Sequence, residues 1–340
     1  MMKKTIFWIA RVLVLSAFGM SLVTASQAQA QDKIVLKLAS PWPLGHESTL
    51  GSQVLSDLVK KASNGSVEIR VFPSEQLAKA KETHEAVSMG VVDMGVVAGP
   101  YIAGRLPIVD IDYMPWLFSS WKSLRDARRG GIDEVIAAEL KKAFNLKLLF
   151  SQPGGSTELW TVKKPVRNVE DLKGMLIRGA GGALTEGVRA VGATPVTVTG
   201  PEVFTALQRG TIDGSMWTLA SLRSIKAWEV CKYATRFSRP LGPGVIHVVI
   251  NQDRWEKLPP NVQKIILEAA PKAQEAVYAH AEKETEEAWA EAAKNGLTII
   301  RPTPEEEAVF AKRMSAVWDW YIGRAGEPGR KLIEIGKKFQ

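Results

Sequence analysis

Twice along this chain, stretches that read as buried strands alternate with stretches that read as helices, in the order strand, helix, strand, helix, strand. That rhythm restricts the chain to an α/β fold built on a largely parallel sheet. The first round predicts strands at 33–39, 67–72 and 92–97 with helices at 48–62 and 82–89. The second predicts strands at 175–177, 194–198 and from 212 onward, with helices at 183–191 and 202–208. The two rounds also share a junction. Met89-Gly90-Val91-Val92-Asp93 and Arg209-Gly210-Thr211-Ile212-Asp213 each end a helix on glycine and open a strand through a β-branched residue and an aspartate. The reading is two lobes built alike.

The remaining segments connect those lobes. A strand at 147–151 runs into Gln152-Pro153-Gly154-Gly155, the first crossing, and the turn at 240–244 is the second. Crossings of this kind make a hinge with a cleft between the lobes. Residues 121–144 predict one helix. Residues 260–295 carry a long apolar stripe and predict a helix of ~50 Å, at ~1.5 Å per residue, that braces both lobes. Pro271 is its expected kink, and a last amphipathic helix starts near Pro304. The expected division is 31–154 plus 243–283 for one lobe and 155–242 plus 284–340 for the other.

Residues 1–30 read as a secretory signal peptide: Lys3, Lys4 and Arg11, an apolar run from Val12 to Val23, then Ala28-Gln29-Ala30. The run is shorter than the ~20 residues a membrane span needs. The expected product is therefore exported from the cytoplasm, with no stable membrane insertion after cleavage. Removing 30 residues from 340 leaves 310, and losing three basic residues lowers the formal charge from +8 to +5. No aromatic-interleaved basic stripe points to nucleic acid. Cys231 is the only cysteine, and the four histidines are scattered without an HExxH pattern, so no metal site or cofactor is expected. Asp110, Asp112 and their neighbours lack a ligand spacing for a metal.

Parallel sheets bind ligands beyond the carboxyl ends of their strands, and Arg178 leaves one such strand into Gly179-Ala180-Gly181-Gly182. The glycines fail the dinucleotide fingerprint, because Leu184 stands where the third glycine belongs. A turn that brings backbone N–H groups and Arg178 to an anion is the better reading. Trp217 falls at the end of a neighbouring strand.

Several segments together resemble one family. They are Ser63-Asn64-Gly65 before a strand ending Phe72-Pro73, Glu75-Gln76-Leu77, the Gly90-to-Asp93 junction, Leu172-Lys173-Gly174-Met175 through Arg178, Gly192-Ala193-Thr194-Pro195, and Glu202 to Gln208. The chain is similar over essentially its whole mature length to the solute-binding proteins of tripartite ATP-independent periplasmic (TRAP) transporters, of the dicarboxylate-binding type. The resemblance implies two α/β lobes, closure around an organic anion, and delivery to a sodium-driven membrane permease. It implies that Arg178 pairs with the ligand carboxylate, for which a planar guanidinium offers two parallel donors.

Two positions depart from the family pattern. Glu158 stands where many members carry a second arginine, and Trp217 stands where an asparagine often touches the ligand. A small dicarboxylate would leave one carboxylate without a cation. The expected ligand is a monocarboxylate with an aromatic or hydroxylated body, stacked on Trp217 and on Trp160 or Trp116. Pro115, His46 and Glu75 complete the candidate binding residues. The alternative roles are a hinge salt bridge for Glu158 and space-filling for Trp217. The alternative functions are the binding subunit of an ATP-driven importer or a ligand-presenting sensor partner. No GxSxG elbow or glycosidase-like acid pair supports a secreted enzyme.

Overall fold

The computed structural model describes residues 33–340, so the signal-peptide reading lies outside the described residues. Ten strands among the described residues form one sheet in the order β2-β1-β3-β9-β4-β7-β5-β6, with β8 (Tyr233–Thr235) on β4 and β10 (Thr298–Ile300) on β8. The first round supplies β1 (Ile34–Ala39), α1 (Glu47–Ala62), β2 (Val67–Phe72), α2 (Thr83–Ser88) and β3 (Met94–Ala98). The second supplies β5 (Leu176–Gly179), α5 (Gly182–Ala190), β6 (Thr194–Thr197), α6 (Val203–Gln208) and β7 (Gly214–Thr218). In each round Gly90 and Gly210 take positive φ, 71° and 69°, so the shared junction is one backbone device used twice.

The two rounds are joined by strands that belong to both. β4 (Leu146–Thr161) is one 16-residue strand where a strand ending at residue 151 was expected. It pairs antiparallel with β9 (Gly242–Asn251) from Leu146↔Asn251 to Thr157↔Gly242, across register shifts at Leu148/Phe150 and Pro153/Gly155. Gln152-Pro153-Gly154-Gly155 therefore bends a strand without ending it, because an irregular register absorbs the proline within the ladder. β4 continues onto β7 through Glu158↔Trp217 and Trp160↔Ser215.

The expected helix at 121–144 is two, α3 (Trp121–Ala127) and α4 (Asp133–Phe144), separated by a turn in which Gly131 has φ 127°. α7 (Leu219–Ser224) is followed by a left-handed Lys226 at φ 50°. α8 (Pro260–Lys294) is the expected long helix of 35 residues, and it continues through Pro271. The final segment divides into α9 (Pro304–Met314) and α10 (Ala316–Lys338). α10 returns to the first half. Its Tyr321 hydroxyl donates to the Ile108 carbonyl at 3.0 Å, and Gly336 lies so close to Leu117 that an added Cβ would meet it at 2.8 Å.

Candidate functional site

Arg178 is brought to the middle of the molecule by β5, which pairs with β6 at Arg178↔Val196 and with β7 at Arg178↔Ser215. Its side chain is 0 % exposed. Nε donates to the Val198 carbonyl at 2.9 Å and Nη1 to that of Met216 at 3.4 Å. The guanidinium lies over the Trp217 ring, 4.9 Å from its centroid. Burial pulls its pKa down against the neighbouring Tyr101 and Tyr113 hydroxyls, Tyr101 also hydrogen-bonding it. A guanidinium stays charged under these conditions. Among the described residues no carboxylate pairs with it, so the site holds a buried cation without a counter-charge, which is costly unless an anion joins it.

Trp217 lines a cavity of about 170 Å³ together with Pro41, Trp42, Pro43, Glu75 and Pro201. The cavity is walled by loops at the ends of β1 and β2 on one side and by the second round on the other, the position expected of a cleft. Gly200 also borders it. Its N–H donates to the Tyr101 hydroxyl at 3.0 Å, and an added Cβ would meet the Trp217 ring at 3.1 Å. Tyr101 thus touches both Arg178 and the backbone of the opposite half. Glu75 holds a left-handed turn at φ 60°, accepts from Ala80 N–H at 2.7 Å and pairs with Lys79 at 3.3 Å.

The other expected residues are placed elsewhere. His46 caps α1, accepting from Ser48 N–H through Nδ1 at 3.0 Å, so its Nε2 donates to Ser221 Oγ at 3.2 Å. Burial lowers its pKa to about 3, keeping it neutral, and its ring stacks with that of Trp42 at 6.0 Å. It supports the cavity wall from behind. Trp116 packs edge-on against Phe237 at 5.7 Å in the apolar core. Trp160 is buried in a second core with Val203, Leu207 and Trp289. Neither tryptophan lines the cavity: Trp116 stands in a turn at φ 51° and Trp160 on β4, and each ring is taken up by a core. Pro115 lies by a smaller hollow, and its carbonyl accepts from Trp318 Nε1 at 2.9 Å.

Glu158 is buried directly across the ladder from Trp217. Burial raises its pKa to about 8, against a Ser156 hydrogen bond and the charge of Arg236. Near neutrality it is therefore mostly the uncharged acid, and its Oε2 has no hydrogen-bond partner. A protonated Glu158 offers a donor on the sheet face that carries Trp217.

The glycine turn after Arg178 meets a carboxyl group of the protein itself. Asp110 Oδ1 accepts from Ala183 N–H at 2.8 Å at the start of α5, and a Cβ on Gly182 would meet that oxygen at 1.8 Å. Asp112 is also fully engaged. It accepts from Arg128 at 2.6 Å and lies 2.7 Å from His247 Nε2, while His247 Nδ1 is 3.1 Å from Ser151 Oγ. Ser, His and Asp in sequence here are not a nucleophilic triad. Ser151 is sealed from solvent, accepts from Arg128 and donates to Asp133, so its hydroxyl has no path to a substrate. Among the described residues no group of three or more His, Cys, Asp or Glu side chains is placed to hold a metal.

A larger hollow of about 350 Å³ lies between Phe118, Trp121, Pro243 and Glu286. Its one basic side chain, Lys122, is held by Asp126 at 2.5 Å, so the hollow lacks a buried unpaired cation; Arg178 is not itself among the residues lining the smaller cavity and meets it through Trp217, over whose ring it lies. Tyr101, Trp42 and Pro201 are the cleft residues that sequence reading passed over. The signal for Trp42 was available, since Pro41-Trp42-Pro43 directly follows the first strand.

A model of the bacterial extracellular solute-binding proteins, family 7 (DctP), matches residues 38–324. The C4-dicarboxylate-binding periplasmic protein DctP of Rhodobacter capsulatus is 27% identical over 320 residues, covering 92% of this chain and 93% of its own. A TRAP periplasmic solute-binding protein from Desulfovibrio salexigens, solved with bound orotic acid, superposes with a TM-score of 0.83 at 27% identity, covering 90% of this chain and 98% of that one. A marine metagenome TRAP solute-binding protein specific for aromatic acid ligands, in complex with metahydroxyphenylacetate, gives 0.83 at 26% identity, with 90% and 98% covered. Among the described residues no helix is long and apolar enough to cross a membrane.

Proposed function

Because the chain belongs to family 7 of the bacterial extracellular solute-binding proteins, the binding subunits of TRAP transporters and not enzymes, we propose that it captures an organic acid anion in the Arg178 cleft. The captured solute is a monocarboxylate with an aromatic or hydroxylated body, handed in the periplasm to a sodium-driven membrane permease. The observation that carries this reading is the buried Arg178 guanidinium without a carboxylate partner. A ligand carboxylate supplies the missing charge, while the two tryptophans and three prolines around the cavity favour a flat or apolar body over a second carboxylate. Trp217 then serves as platform for both the guanidinium and the ligand, and neutral Glu158 as partner for a hydroxyl group. In this reading the two lobes meet along β4 and β9, which act as the crossings, with α8 bracing both.

The relatives support the class. The Desulfovibrio salexigens protein holds orotic acid and the metagenome protein an aromatic acid, whereas the Rhodobacter capsulatus protein is named for C4-dicarboxylates. Thermal-shift screening of the mature protein against aromatic acids, hydroxy acids, sugar acids and dicarboxylates separates these. At ~100-fold above its dissociation constant a ligand adds ~2.7 kcal/mol of stability. Stabilisation by monocarboxylates with a ring or hydroxylated body is the expected result. Stabilisation confined to succinate-like diacids contradicts the monocarboxylate reading.

A further inference from the structure

Away from the cleft, the seam between α1, β4 and α8 gathers buried oxygens that no hydrogen-bond donor reaches. Glu47, in the first turn of α1, is 2 % exposed, and both of its carboxylate oxygens lack a hydrogen-bond partner. Gln152 of β4 is fully buried. Its Nε2 donates to the carbonyls of Ser48 at 2.8 Å and Glu47 at 3.4 Å, which fixes the amide orientation and leaves Oε1 without a donor. Gly51, one turn after Glu47, makes this approach possible: a Cβ there would meet Gln152 Oε1 at 1.8 Å. From α8, the buried Glu284 lies close enough to Glu47 to push the Glu47 pKa up further than burial alone does.

The local charges do not balance. Arg223 of α7 reaches Glu284 at 3.5 Å but sits nearer Glu291, at 2.6 Å. His280 and Glu287 also act on Glu284, and His46, beside Glu47, is neutral. One arginine is thus shared by two acids, and Glu47 has no cation of its own. The Glu47 oxygens and Gln152 Oε1 are all acceptors, so a single proton satisfies one of these three and leaves the others. A cation satisfies them together, and carboxylate and amide oxygens are the ligands a hard cation takes.

We propose that Glu47, the Gln152 amide oxygen and Glu284 form a buried monovalent-cation site of sodium type, separate from the acid-binding cleft. Monovalent charge follows from the one carboxylate left uncompensated; a divalent ion calls for more acid than the seam holds. The site adjoins His46, whose bond to Ser221 ties α1 to α7, so its occupancy tightens the contact between the two halves.

The test is the melting temperature of the purified protein in sodium chloride, potassium chloride and N-methylglucamine chloride at matched ionic strength. The expected result is a saturable upward shift of a few degrees with sodium over N-methylglucamine, abolished in Glu47→Gln and weakened in Glu284→Gln. Equal melting in all three salts overturns the proposal without using any variant. A sodium shift that survives Glu47→Gln overturns it as well. So does a melting temperature that follows pH alone, which means that Glu47 holds a proton instead.

Discussion

The guanidinium of Arg178 lies against the ring of Trp217, 4.9 Å from guanidinium carbon to ring centroid, and neither residue is appreciably exposed. A cation stacked on an indole in a desolvated site gains ~2 kcal/mol or more. Trp217 therefore does two things: it holds Arg178 in place and it forms a wall of the cavity. Trp217→Phe is expected to keep most of the binding of an aromatic acid, and Trp217→Ala to lose about tenfold or more, a value equivalent to ~1.4 kcal/mol. Calorimetric titration of both variants checks this, and equal affinities argue that Trp217 only fills space.

Two buried acids set the pH response. Burial raises Glu158 from 4.5 to about 8 and Asp110 from 3.8 to about 7. Groups raised in the folded state contribute stability that is complete below their ordinary pKa values and disappears as pH rises through the raised ones. The melting temperature is expected to fall between about pH 4 and 8, and the fall to be shallower in Glu158→Gln. A melting curve rising over that interval contradicts the burial of these acids.

The Asp112, Arg128 and His247 cluster predicts a large stability loss without a change in chemistry. Asp112→Ala leaves Arg128, itself buried, with a lost partner. Removing one member of such a pair costs ~3–5 kcal/mol. Denaturant unfolding measures it, and a loss under ~1 kcal/mol shows that Asp133 alone compensates the arginine.

Much of this was legible in the sequence, and the limits have physical causes. Arg178 was singled out because an arginine leaving a strand into glycines is placed to meet an anion and because of the motif around it. The long helix was found because its apolar stripe repeats for ten turns, and Pro271 does not interrupt it. The break after Ala127 was missed although Gly130-Gly131 announced it. β4 was split because Pro153 with two glycines reads as a loop, and only pairing to β9 on one side and β7 on the other holds it extended. Trp116 and Trp160 were assigned to the cleft because composition cannot tell a core indole from a cleft one. That distinction rests on which side chains, distant in sequence, pack against each ring, a long-range property.

The measurement that most directly tests the account is a paired titration, by calorimetry, of an aromatic monocarboxylate that stabilises the protein and of its carboxamide, against wild type and Arg178→Lys. If Arg178 holds the carboxylate, the acid binds wild type at least ~100-fold more tightly than the carboxamide, equivalent to ~2.7 kcal/mol. Arg178→Lys then loses most of that preference while keeping a cooperative unfolding transition, since lysine cannot present the paired donors. Equal binding of acid and carboxamide to the wild-type protein contradicts the account.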